Sequence, residues 1–369
     1  MSTKILNVVG ARPNFMKIAP LMEEFSRHPN IETCLIHTGQ HYDAKMSKLF
    51  FEELGIPKPD IDLGVGSSSH AVQTGKIMIA FEEALLQINP DLVVVVGDVN
   101  STIACSLVAT KLGVQVAHVE AGLRSFDRTM PEEINRILTD HISDYLFVTE
   151  KSGEENLLHE GISEAKIHLV GDVMIDTLLR HLKKAQQSQV LQKTGVSPKA
   201  YAALTLHRPS NVDSPTQFSA ILQALEEVQK DIKIVFPMHP RSASRLQEFG
   251  LKQHIEALPN LIVTPPFGYL DFLKLLAEAR FVLTDSGGVQ EETTALGVPC
   301  LTLRENTERP ATVTQGSNQV IGTDPERIVA ASQRILAGDF KTGGRPELWD
   351  GRAAQRIVQV LLKEFSDRA

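Results

Sequence analysis

Wherever a short apolar run of this chain ends, residues able to move protons or hold anions follow it. Gly97-Asp98 comes after Leu92–Val96, and Glu120-Ala-Gly-Leu-Arg124 after Val114–His118. His207-Arg208 comes after Ala202–Leu206, and His239-Pro-Arg241 after Ile232–Phe236. Gly10-Ala-Arg-Pro-Asn-Phe-Met-Lys17 follows the first run, Ile5–Val9. The anchor of the chain is Asp285-Ser286-Gly287-Gly288, after Phe281–Thr284. Asp285-Ser286 offers N-cap chemistry, and the two glycines let the backbone turn tightly against a ligand. A helix is expected from Val289 to Leu296, stopped by Gly297 and Pro299. Its free N–H groups and the positive end of its dipole would form an anion site. Glu291 and Glu292 are read into the first turn, one of them facing sugar hydroxyls. Taken alone, the turn is equally an ordinary, well-capped strand-to-helix corner.

The elements behind these residues form two series of strand-then-helix units. The first has strands Ile5–Val9, Glu32–His37, Leu92–Val96, Val114–His118, Tyr145–Val148 and Ile167–Val170. The second has Ala202–Leu206, Ile232–Phe236, Leu261–Val263, Phe281–Thr284, Cys300–Leu303 and Gln319–Ile321. Asp43–Leu54 places Met46, Leu49, Phe50 and Leu54 on one helical face. Such alternation predicts parallel sheets with right-handed crossovers, hence an α/β fold of two facing doubly wound, Rossmann-like domains. The expected domains are 1–171 with the C-terminal helix 354–369, and 172–353, with a helical stretch Val173–Gln192 at the junction. The amphipathic tail Arg352–Phe365 could pack on either. Ligands of open α/β sheets bind beyond the carboxyl ends of the strands, so the residues above would line a cleft between the domains.

At 369 residues, with 42% hydrophobic and 22% charged residues, the chain has room for two globular cores. A formal charge of −8 argues against non-specific nucleic-acid binding, so any phosphate site must be a local cluster of Arg, Lys and backbone N–H. Cys34, Cys105 and Cys300 lack metal-type spacing and read as reduced core residues. No apolar run reaches the length of a membrane span and no signal peptide is evident, so a cytoplasmic protein without a membrane partner is expected.

Taken together and in order, these segments resemble the UDP-N-acetylglucosamine 2-epimerase family, non-hydrolysing type, with its glycosyltransferase-B-like fold. The resemblance is carried by Gly10-Ala-Arg-Pro with Lys17-Ile-Ala-Pro-Leu21, Thr38-Gly-Gln-His41, Gly97-Asp98 and His118-Val-Glu-Ala-Gly-Leu-Arg124. Pro131-Glu-Glu-Ile-Asn-Arg136, Gly171-Asp172, His207-Arg208, Asp285-Ser-Gly-Gly-Val-Gln-Glu-Glu292 and Thr307-Glu-Arg-Pro310 continue it. It implies inversion at C2 of a UDP-linked 2-acetamido sugar without redox cofactor or metal. By the same carry-over Asp98, Glu120 and Glu132 are acid/base carboxylates and His207 stands beside the diphosphate. Arg12 is the cleft arginine, Ser286, Gly287 and Gly288 the phosphate turn, and Glu292 the ribose ligand. Lys17, Arg136, His239 and Arg309 complete the substrate-binding set, and a homodimer is implied. Gln40, His41 and Arg208 match the family's second, activating site only loosely.

The implied chemistry explains the residue types. The C2 hydrogen of such a sugar is not next to a carbonyl, so UDP must first leave C1, making C2–H acidic. Elimination gives a 2-acetamidoglucal; returning the proton to the other face and UDP to C1 gives the epimer. One preorganised donor to the leaving phosphate is worth about 3 kcal/mol, and acid/base groups add roughly 10²–10⁴-fold. Each residue also has a plainer reading. Asp98 would serve as an N-cap, Glu120 as a loop residue and Glu132 as a first-turn helix carboxylate. His207 would be a satisfied buried histidine, His239-Pro-Arg241 a structural corner, and Glu308 with Arg309 a surface ion pair.

The chain departs from the pattern of many bacterial members at Asn14, where they carry Glu, and at Pro209-Ser210, where they carry Arg-Glu. Its Gly-Ala-Arg-Pro form is similar to that of relatives acting on UDP-2,3-diacetamido-glucuronic acid, which leaves the sugar open. A hydrolysing epimerase that releases N-acetylmannosamine, a glycosyltransferase and a UDP-sugar sensor are the rival readings.

Overall fold

Apolar, β-branched strands buried on both faces favour all-parallel sheets covered by helices, and the chain builds two of them. The computed structural model describes residues 2–40 and 53–366, together with the backbone but not the side chain of Arg12. The expected helix Asp43–Leu54 and His41 lie outside or at the edge of the described residues. Contacts divide the chain into two units, Met1–Arg180 with Glu347–Ala369, and His181–Pro346.

In the first unit the strands are β1 Thr3–Val9, β2 Ile31–His37, β3 Ile61–Asp62, β4 Leu92–Val96, β5 Gln115–Ala121, β6 Tyr145–Val148 and β7 Ile167–Leu169. They lie in the order β3-β2-β1-β4-β5-β6-β7, every pair parallel. The short β3 was not expected: two residues leave too little periodicity to read. β5 runs past His118, so Glu120 belongs to the strand rather than to a loop after it. The C-terminal helix Ala353–Ser366 packs on the helix Arg12–Ser26 of this unit. Buried Asp176 receives the N–H groups of Ala353 and Ala354 at 3.1 and 2.8 Å, satisfying that helix's orphan donors.

The second unit has β8 Tyr201–Thr205, β9 Lys233–Pro237, β10 Leu261–Thr264, β11 Phe281–Thr284, β12 Cys300–Thr302 and β13 Asn318–Val320. Their order is β10-β9-β8-β11-β12-β13, again all parallel. The stretch read as one helix, Val173–Gln192, is two: Val173–Ala185 and Val190–Thr194. Cys105 and Cys300 are buried, but Cys34 is only half-buried, a correction to its reading as core.

Both sheets share one arrangement. The strand order reverses between β1 and β4 in the first and between β8 and β11 in the second. At such a switch point neighbouring crossovers leave on opposite faces and open a crevice at the strands' carboxyl ends. Gly10 to Lys17 and Gly97-Asp98 sit at the first point, His207-Arg208 and Asp285-Ser286 at the second.

Candidate active site

In the first unit the carboxylates stand at adjoining strand ends. β4 and β5 run in register to Val96 opposite Val119, and the pairing of β5 with β6 then shifts between Val119 and Ala121. The shift is a bulge centred on Glu120, whose φ of 76° lies in the left-handed region, unusual for a side chain of this size. A bulge takes the residue out of the ladder and re-aims it. Buried Glu120 pairs there with buried Lys17, from the helix Arg12–Ser26. Gly97, φ 69°, turns beside them: a Cβ on it would lie 2.9 Å from Lys17 Nζ and 3.4 Å from Glu120 Oε2. The tight turn thus brings Asp98 up to the Lys17–Glu120 pair.

Asp98 is held from the other side by the helix Pro131–Ile142. Arg136 donates to Asp98 Oδ2 from Nε at 3.0 Å and from Nη2 at 2.8 Å, while Asn135 donates to the Asp98 carbonyl at 2.9 Å. Arg136 also pairs with Glu133, whose buried carboxylate accepts the N–H groups of Ser125 and Phe126 at 3.0 and 2.8 Å. Lys17 and Arg136, expected on the substrate, are therefore engaged with carboxylates. Glu132, on the same helical turn, is half-buried. Asn14 shows what its departure from glutamate does. Its Oδ1 accepts the N–H groups of Gly10 and Ala11 at 3.1 and 2.8 Å, and its Nδ2 donates to the Val96 carbonyl at 2.9 Å. A carboxylate has no hydrogen for that last bond.

In the second unit the hub is Asp285, and it does not cap a helix. Its fully buried carboxylate accepts from the backbone N–H groups of His207 and Arg208, each at 2.9 Å, and from Asn211 Nδ2 at 3.2 Å. His207 Nδ1 lies 2.9 Å from Asp285 Oδ1. Burial pushes this carboxyl up, but His207 and the two N–H donors outweigh it and hold it below the ordinary 3.8. The carboxylate takes the Nδ1 hydrogen and turns the other ring nitrogen, Nε2, away from it. The His239 ring lies 5.6 Å from that of His207, and its Nδ1 accepts the Arg241 N–H at 3.2 Å.

The helix after this turn begins at Gly287, two residues earlier than expected, with Ser286 at the N-cap and no side-chain cap bond. Glu291 and Glu292 therefore lie one turn deeper than read, both buried. Ser286 N–H donates to Thr284 Oγ1 at 3.0 Å, which fixes the corner from below. Gly287 is required by contact. A Cβ there would collide with the Arg309 guanidinium and come within 2.8 Å of Glu308 Oε1. Glu308 and Arg309 are buried, so the surface ion-pair reading is wrong. Arg309 pairs with Glu291 and Glu308, and Glu308 also with Arg304 at 2.8 Å and Arg208 at 3.7 Å. Three guanidiniums thus meet two carboxylates beside the helix N-terminus. Glu292 faces Tyr269, whose phenol is held well above its ordinary value by burial and then by that carboxylate.

Sequence reasoning missed Asp140, which joins His118 and Arg124, the structural use of Glu133, and the central place of Asp285. The first lies 22 residues from its partner His118, a separation that no local motif spans. Two Rossmann-ordered sheets with an anion-accepting corner on one and cation-paired carboxylates on the other define a nucleotide-sugar enzyme of the glycosyltransferase-B-like class. The chain belongs to the UDP-N-acetylglucosamine 2-epimerase family, whose model matches residues 23–362. It is 44% identical over 97% of its length to the UDP-N-acetylglucosamine 2-epimerase of Methanocaldococcus jannaschii, covering 98% of that protein. It is also 41% identical, over 98% of the chain and 99% of the relative, to the UDP-2,3-diacetamido-2,3-dideoxy-D-glucuronate 2-epimerase of Pseudomonas aeruginosa. Superposed on the crystal structure of the Methanocaldococcus jannaschii enzyme in complex with UDP-GlcNAc and UDP, it gives a TM-score of 0.92 over 98% of this chain and 100% of that one.

Proposed function

We propose that this chain inverts C2 of UDP-N-acetylglucosamine to give UDP-N-acetylmannosamine, by eliminating UDP to a 2-acetamidoglucal and adding it back. Asp98, Glu120 and Glu132 carry the proton between the two faces of C2. The N–H groups of Gly287 and Gly288, with Ser286, His207 and Arg12, receive the departing diphosphate, and Glu292 holds the ribose. Lys17 and Arg136 aim Glu120 and Asp98, and Arg309 supports the phosphate turn from behind. The observation that carries the reading is the pairing of two neighbouring strand-end carboxylates with separate buried cations, in a chain of this family. A set of acids at one sugar fits a proton shuttle better than a glycosyltransferase, which needs an acceptor groove.

A second sugar is favoured by the 41% identity to the diacetamido-glucuronate 2-epimerase. Incubating the protein with each nucleotide sugar separately in D₂O and recording NMR spectra tests both. Deuterium at C2 with the manno epimer of UDP-N-acetylglucosamine is expected. Exchange only in the diacetamido-uronic sugar transfers the assignment to it, and free N-acetylmannosamine growing in step with UDP refutes the non-hydrolysing course. A cytoplasmic homodimer belongs to the same reading. Val72, Ile79 and Leu86, exposed at seven-residue spacing on the helix His70–Ile88, are the apolar surface a second copy would cover. Sedimentation at a single monomer mass would remove that part. Among the described residues no helix is long and apolar enough to cross a membrane.

A further inference from the structure

Beneath the proton carriers of the first unit lies a fully buried pair that the reaction does not use directly. His118, on β5, is completely shielded from solvent, as is the carboxylate of Asp140 on the helix Pro131–Ile142. Both ring nitrogens are engaged. Nε2 lies 2.8 Å from the Gly97 carbonyl and Nδ1 lies 2.6 Å from Asp140 Oδ1. A carbonyl only accepts, so Nε2 carries a hydrogen. Asp140 also accepts the Gly122 N–H at 3.1 Å and Arg124 Nη1 at 2.7 Å, both on Oδ2. Burial pushes the Asp140 carboxyl up, but His118 and Arg124 outweigh it and hold it below the ordinary 3.8. The ring is gripped on both sides, by the Gly97 carbonyl at Nε2 and by the Asp140 carboxylate at Nδ1. Arg124 closes the chain on Glu160, with N–H donors at 2.8 Å to each oxygen.

What the pair grips gives it a function. Gly97 immediately precedes Asp98, and Gly122 follows the bulged Glu120 by two residues. Both glycines have left-handed φ, 69° and 79°, so each marks a turn at the end of its strand, and the Gly97 N–H keeps one bond to the Val119 carbonyl at 3.0 Å. We propose that His118 and Asp140 are positioning residues: the imidazole fixes the Asp98 turn, the carboxylate fixes the turn after Glu120, and the pair sets the spacing of the two proton carriers. The inference rests on the assignment of Asp98 and Glu120 to catalysis. A shift of order 1 Å in such a group can cost about 10²-fold in rate.

Two substitutions separate the contacts. In His118→Gln the amide stands where Nε2 was and still donates to Gly97, but the contact with Asp140 is lost. In His118→Asn the amide stands where Nδ1 was, so the Asp140 contact survives and the Gly97 bond is lost. We expect kcat of H118Q within about tenfold of the native enzyme and that of H118N lower by about 10²-fold, with KM within about threefold in both. General weakening of the fold would lower both thermal midpoints alike without dividing kcat in this way. The Gly97 contact is read independently from ¹⁵N-histidine spectra of the intact protein, the His118 signals being those absent from H118Q. A protonated, hydrogen-bonded Nε2 is expected. A bare Nε2 overturns the contact. Equal kcat for H118N and H118Q, or a rise in KM with kcat unchanged, overturns the positioning role. Failure of the catalytic assignment would show differently, as native protein without C2 exchange on either sugar, and the ring spectrum would still decide the Gly97 contact.

Discussion

The two switch points solve different problems with different materials. In the first unit each carboxylate proposed to carry protons is a side chain held by another side chain: Glu120 by Lys17, Asp98 by Arg136, and the turns around them by His118 and Asp140. In the second unit the surface proposed for the diphosphate is backbone, with Gly287 and Gly288 at a helix start, while the carboxylates Asp285, Glu291 and Glu308 are buried around it. A proton carrier must be titratable and yet aimed, so it needs a charged partner that restrains it. A diphosphate is always charged, so it is best met by dipoles that are already fixed and need no reorganisation.

If the division of labour is right, removing a carrier should destroy turnover and spare nucleotide binding. Asp98→Asn and Glu120→Gln are each expected to lower kcat by about 10²–10⁴-fold, the range for a general acid or base. UDP affinity, measured by calorimetry, should stay within about threefold. A variant that loses both equally would mean that the first unit holds the nucleotide as well, and the contrast would fail.

The converse change should fall on binding. Gly287→Ala pushes a methyl group into the Arg309–Glu308 pair, backbone-anchored on one side and buried on the other. Overpacking of this kind costs about 1–3 kcal/mol, and relieving it by shifting the corner takes its N–H groups off the diphosphate, so UDP should bind roughly ten- to a hundredfold more weakly. Unchanged affinity would place the diphosphate elsewhere.

How far this contrast is legible in the sequence differs between the units for the same reason. A backbone site is written locally. The apolar run, Ser-Gly-Gly and the helix that follows are contiguous, and the strand-helix alternation gave both sheets nearly strand for strand. Side-chain restraint is written across the chain: Lys17 and Glu120 are 103 residues apart, Asp98 and Arg136 38 apart. No spacing rule links them before the sheet order is known, so Lys17 and Arg136 read as substrate ligands and Glu133 did not stand out from Glu132. The Glu120 bulge is likewise invisible, because Val-Glu-Ala continues an acceptable strand. Asp285 was misjudged for the opposite reason. Asp-Ser before a helix is so good a local capping signal that it hides a tertiary role with His207, 78 residues away.

The smallest expected effect is on stability, and it compares the two buried carboxylates directly. Asp140 and Asp285 both sit below the ordinary 3.8 in the folded chain, because their cationic and N–H partners outweigh the cost of burial. The unfolded chain then binds more protons than the folded one as pH drops through this window, so stability must rise with pH there. Each carboxylate's contribution is complete above about 3.8 and disappears as pH falls through its lower folded value. Denaturation curves at about pH 5 and about pH 3 should therefore show a loss of stability on acidification. Asp140→Asn should reduce that loss for the first unit and Asp285→Asn for the second, each starting from a lower stability at the higher pH. A native-like acid slope in either variant would mean that its carboxylate titrates alike folded and unfolded, and that the partners drawn around it do not hold its charge.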